Sequence, residues 1–170
     1  LLNLNRNFRD SGIQLEQMTI ALTRFADEGE SAKTVMSEIV DLSKLPMVDL
    51  QSAMRSFVAL RSTRMEAEDT SAVIEQFSVA LASVGASSED LNGVTRALTQ
   101  IMAKGKVYAE EIYQIAERLP QTRAVMQDAF GTANTEELAK EGITAYQFIN
   151  EITRGLQAIN KDSSGLMDTT

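Results

Sequence analysis

"GKVYAEEIYQIAERLP", residues 105–120, decides how this chain is read. Three glutamates, an arginine and two tyrosines stand between a glycine and a proline. Two interpretations compete. One is an acid–base site built on Glu110, Glu111 and Glu117; the other is a charged helix closed at both ends by corner residues. Ile112, Ile115, Ala116 and Leu119 recur at three- and four-residue spacing, which stacks them on one helical face. Glu110 and Glu111 then fall in the first turn, where unpaired N–H groups and the macrodipole favour ionised carboxylates over stored protons. Glu117 lies about two turns further on and is expected to face solvent. Catalytic carboxylate pairs need environments that drive their pKa values apart, and a sugar-cleaving site needs a second carboxylate in an apolar setting. The sequence supplies neither, so the glutamates read as capping and solvating groups.

The same punctuation runs along the chain. Gly29, Gly85, Gly105, Gly131 and Gly142 each follow an apolar stripe at helical spacing, the place for a left-handed helix-closing residue. Pro46 and Pro120 are expected in first helical turns. Stripes run through Val35, Met36, Ile39 and Val40; through Val48, Met54, Phe57 and Val58; and through Val73, Ile74, Phe77, Leu81 and Val84. A further one holds Leu91, Val94, Leu98, Ile101 and Met102. Ser87 with Asp90, Asn134 with Glu137, and Thr144 with Gln147 form N-terminal capping boxes, the last with Ile143 and Phe148 as a hydrophobic staple. In "GIQLEQMTI" Ile13 and Leu15 alternate as in a strand, but continuation through Leu22 and Phe25 favours a helix. The expectation is an all-α fold, a compact bundle of about eight short-to-medium helices joined by tight Gly/Pro corners. Residues 1–160 form the helical domain and 161–170 a polar tail.

Composition bounds the chemistry. The 170 residues contain no cysteine and no histidine, which removes thiolate chemistry and the commonest general base and transition-metal ligand. No Walker, G-x-G-x-x-G or G-x-S-x-G pattern occurs. No catalytic, cofactor-binding or metal-binding residue is predicted. A formal charge of −8 repels nucleic-acid phosphates, and Arg55, Arg61 and Arg64 read as solvated arginines rather than a basic patch. Met36, Met54 and Met102 lie on apolar stripes and read as core filling. No apolar run is long enough to span a bilayer. A start at Leu1 and an end in "DSSGLMDTT" point to a piece of a longer protein.

Residues 91–131, "LNGVTRALTQIMAKGKVYAEEIYQIAERLPQTRAVMQDAFG", resemble the conserved N-terminal region of bacteriophage tail tape-measure proteins. The shared pattern places Leu98, Gln100 and Ile101 at the end of one helix, then Gly105, Lys106 and Val107, then Glu110, Glu111, Ile112 and Gln114, and finally Pro120 and Gly131. "ELAKEGITAYQFINEI" and the amphipathic run from Leu22 extend the similarity over most of residues 20–159. Tyr108 departs from it, standing where the family places a small or capping residue, which allows the helix start to shift by one. In physical terms Gly105, Glu110, Glu111, Pro120 and Gly131 specify a helical corner. Gln100 and Gln114 either bond backbone at that corner or remain exposed amides.

The resemblance implies a structural protein of the virion tail, made in the bacterial host cytoplasm, around whose helical length tail-tube subunits polymerise. Its implied partners are tail-tube, tail-tip and tail-assembly chaperone proteins, with self-association also open. A continuous helix of this length would reach roughly 255 Å; a chain folded at its corners would instead be a module attached to the ruler. Tyr108, Tyr113 and Arg118 are the candidate partner-binding residues, because tyrosine and arginine concentrate at interface centres. A generic bacterial helical adaptor and a cell-wall hydrolase-associated domain are the alternatives.

Overall fold

Capping and apolar spacing lay down the helices one after another. The computed structural model describes residues 32–167, with side chains over 33–162, together with Ile20 and Thr23. Within that span are eight helices: α1 (Ala32–Leu42), α2 (Leu50–Arg61), α3 (Ala67–Ser83), α4 (Ser88–Lys104), α5 (Ala109–Arg118), α6 (Gln121–Phe130), α7 (Thr135–Lys140) and α8 (Ala145–Met167). The all-α, compact expectation holds: among the described residues the only extended pairing is an isolated bridge between Lys106 and Thr144. The expected helix through Ile13, Leu15, Leu22 and Phe25, closed at Gly29, lies outside the described residues. Helical backbone continues in α8 through residues 161–167.

Local chemistry explains the ends. At α4 the Ser87 N–H donates to the Asp90 carboxylate at 2.9 Å, the return half of a capping box. Asn134 Oδ1 accepts from the N–H groups of Glu136 and Glu137 at 2.9 and 3.2 Å, satisfying two donors that α7 leaves open. Glu137 does not reach back to Asn134 as its spacing suggested; its carboxylate accepts from the Thr132 hydroxyl at 2.7 Å. At α8 the Gln147 N–H donates to Thr144 Oγ1 at 3.2 Å, and Ile143 packs on the core that contains Phe148. Gly105 and Gly131 close α4 and α6 at φ 74° and 77°, a conformation only glycine adopts without cost. Pro120 sits at the N-cap of α6 with helical angles, as expected. Pro46 is not in a helix. It lies in the turn between α1 and α2, and Asp49 caps α2 by accepting from the Ser52 N–H at 2.7 Å.

Packing turns these helices into one body. Helix α2 lies against α1, α3 and α4; α8 crosses α3 and α6; α5 pairs with α4 and carries α7 on its other flank. Phe57, Phe77, Leu98, Ile101, Ile112, Ile115, Phe148 and Leu156 join a single buried apolar cluster. Burying a large apolar side chain contributes about 1.5–3 kcal/mol, so this shared interior is the dominant force on the corners. Two ends of predicted stripes fall outside it. Val40 is exposed because it turns away from the face that buries Ile39 and Leu42, and Val84 is exposed because it caps the end of α3. Met54 is fully buried, and Met36 and Met102 are packed at the margin of the core. Arg61 departs from the solvated reading: it is buried, and Nη1 donates to the Met65 carbonyl at 2.6 Å, tying down the α2–α3 turn.

Candidate functional site

The corner between α4 and α5 is built from an antiparallel helix pair. Gly105 ends α4 by donating to the carbonyls of Ile101 and Met102. Val107 then drops into the core, and Tyr108 becomes the N-cap of α5, so the departure at this position leaves the helix beginning at Ala109. The Ala145 N–H donates to the Gly105 carbonyl at 3.1 Å, which fastens the corner to the start of α8. Neither Gln100 nor Gln114 uses its amide to hold the backbone here. Gln100 is exposed, and Gln114 contributes its carbonyl, which accepts from Arg118 Nη1 at 2.9 Å.

Glu111 corrects the solvated reading of the glutamates. Glu110 and Glu117 are exposed, but Glu111 is only 2% exposed. Its Oε1 accepts a hydrogen bond from the Lys104 ammonium across the corner, and its Oε2 is buried without a hydrogen-bond partner. That hydrogen bond raises the Lys104 pKa above its usual 10.5; burial opposes the shift, and the charges of Glu111, Glu110 and Tyr108 add to it. The Lys104 ammonium facing the buried carboxylate makes a clasp between α4 and α5. Among the described residues no second buried carboxylate converges on it, and no group of three or more His, Cys, Asp or Glu side chains is placed to hold a metal ion.

The three candidate partner residues are accessible to different degrees and do not form one patch. Tyr108 and Tyr113 are 41% and 51% exposed. Lys104 and Lys106 hold their ammonium groups 4.7 and 5.1 Å from the centre of the Tyr108 ring, a cation–π arrangement that fixes the ring at the corner. Tyr113 stands on the solvent face of α5 with Glu110 and Glu117 three and four residues away. Arg118 is about 140° further around the helix from Tyr113. It is half-buried and its guanidinium lies over Gly93 of α4, where an added Cβ would overlap Nε and Cζ. Gly155 faces Val125 in the same intimate way, and neither it nor Gly93 was among the residues expected to matter from sequence. The available signal was a glycine inside an otherwise periodic helix, which marks a close approach.

The model of the family described as tape measure protein matches residues 6–170. The chain belongs to the tape measure protein family. That is a structural family of phage tails, not a family of enzymes. A curated relative, the probable tape measure protein of Salmonella phage Felix O1 (isolate Felix O1-VT1), is 23% identical over 171 residues. The alignment covers 98% of this chain and 23% of that protein, so the chain spans about a quarter of the length of the curated tape measure protein it matches. No solved structure matches. Of the predicted corner residues, Gly105, Glu110 and Glu111 stand together at the α4–α5 turn, whereas Pro120 opens α6 and Gly131 closes it.

Proposed function

We propose that this chain is a folded module of a phage tape measure protein that acts in tail assembly through protein–protein contact. Within that role it helps to set tail length as part of the protein around which the tube is built, but it is not itself the extended ruler. The carrying observation is that the family match covers nearly the whole chain while its helices turn back on one another around a single core. Tail-tube, tail-tip and assembly-chaperone proteins are the proposed partners, with Tyr108, Tyr113 and Arg118 contributing to contacts on separate faces. Residues 1–160 would be the module and 161–170 the lead into the remainder. Synthesis in the bacterial host cytoplasm before incorporation into the tail completes the reading.

Two phage experiments test it. Tandem duplication of residues 32–160 is expected to leave tail length essentially unchanged in electron micrographs, since the second copy folds compactly. Lengthening by about 1.5 Å per added residue would mean the segment is read out as extended helix and would overturn the compact-module reading. Replacing Tyr113 and Arg118 with alanine is expected to lower the yield of assembled tails. Unchanged yield would remove them from the contact surface.

A further inference from the structure

The open end of the α4–α5 pair, away from the Gly105 corner, carries a groove of about 530 Å³ lined by Val84, Ala86, Asp90, Glu117, Arg118 and Pro120. Its walls come from the α3–α4 turn on one side and the α5–α6 turn on the other, and three interactions keep them in place. Gln121 Nε2 donates to Ser83 Oγ at 3.1 Å, bridging the two turns. The Ser87–Asp90 cap fixes the first. Arg118 is drawn flat onto Gly93 and spends Nη1 on the Gln114 carbonyl. The groove is therefore formed before anything enters it, which lowers the entropy lost on binding.

Its chemistry is mixed in a directional way. Val84, at 46% exposure, together with Ala86 and Pro120, offers an apolar surface without a covering neighbour. Glu117 is exposed on the rim, Asp90 adds a second carboxylate, and Arg118 is the one cation in the lining. The lining is thus net negative in a chain that carries −8 overall. Nucleic acid and acidic segments are disfavoured there by repulsion. Val84 and Pro120 beside the exposed Glu117 carboxylate complement an apolar anchor flanked by a cation, and surface charges of this kind steer encounter and choose between partners.

We propose that this groove is a docking site for a basic segment of another tail protein, one that inserts an apolar side chain against Val84 and Pro120 and sets Lys or Arg beside Glu117. The proposal rests on the assembly function above and names the chemistry of the partner that function requires. The test is made in a phage carrying this chain, with Glu117→Lys compared against Glu136→Lys, an equal charge change on α7 outside the groove lining. Both positions are exposed, and thermal melting of the purified chain checks that each variant folds. Glu117→Lys is expected to reduce the yield of assembled tails at least tenfold and Glu136→Lys to leave it within twofold. Suppressors of Glu117→Lys are expected as Lys or Arg changed to Asp or Glu in a different tail protein.

Normal yield with Glu117→Lys, an equal loss with Glu136→Lys, or suppressors confined to this chain would overturn the groove as a site for a basic partner; the last result would point to a second copy as occupant. Deleting residues 32–160 separates the two levels. Loss of tails on deletion with normal tails for Glu117→Lys removes the groove alone, whereas normal tails after the deletion removes the assembly function and the groove with it.

Discussion

A methyl group added to Gly155 would overlap the Val125 side chain, because α8 passes α6 at a distance only a hydrogen atom allows. Gly155→Ala gains about 1 kcal/mol of helix propensity. It also overpacks a buried valine, which costs about 1–3 kcal/mol. The net expectation is a destabilisation of about 1 kcal/mol in urea denaturation, relieved in part when Val125→Ala is added; additive losses would show that the two residues do not press on each other. At Gly93 the atoms in the way belong to the guanidinium of Arg118, so a methyl there would displace a side chain that is also bonded to the Gln114 carbonyl. Neither contact was legible in the sequence. A glycine within a helix announces that something approaches but not what, and the neighbour lies 25 residues along the chain from Gly93 and 30 from Gly155.

At the scale of the element, the α4–α5 corner is held by backbone geometry at Gly105 and by the Lys104–Glu111 pair. The spacing of Gly105, Glu110 and Pro120 made the helix boundaries readable, since caps and left-handed closures are local events. Burial of Glu111 was not readable, because first-turn position describes the field of its own helix and says nothing about the helix laid across it. The pair sets a pH dependence. Folding raises the Lys104 pKa, so the protonated side chain stabilises the folded state fully below 10.5, its usual value, and that contribution fades as pH rises through the higher folded value. Thermal melting between pH 7 and pH 11 is expected to show this alkaline loss in the native chain and a smaller one in Lys104→Met. An equal alkaline decline in both would show that the clasp contributes nothing.

At the scale of the molecule, one connected core makes the corners interdependent. Phe148 is fully buried and stacks with Phe130 at a centroid distance of 6.2 Å, linking α8 to α6. Phe148→Ala is expected to cost about 3–5 kcal/mol. The loss should appear by circular dichroism as one cooperative transition at lower denaturant, with the slope unchanged; separate melting of individual helices would contradict a shared core. Helix type, most helix ends, the lack of imidazole and thiol, and the resemblance to tape measure proteins were all set by the sequence alone, because each depends on residue identity or on neighbours within a turn or two. The tertiary structure alone decided that Glu111 and Arg61 are buried, that Tyr113 and Arg118 face apart, that Val84 is left bare beside a groove, and that two helical glycines admit a neighbouring side chain. Those outcomes depend on which faces meet across the fold, and burial is a property of the neighbour as much as of the residue.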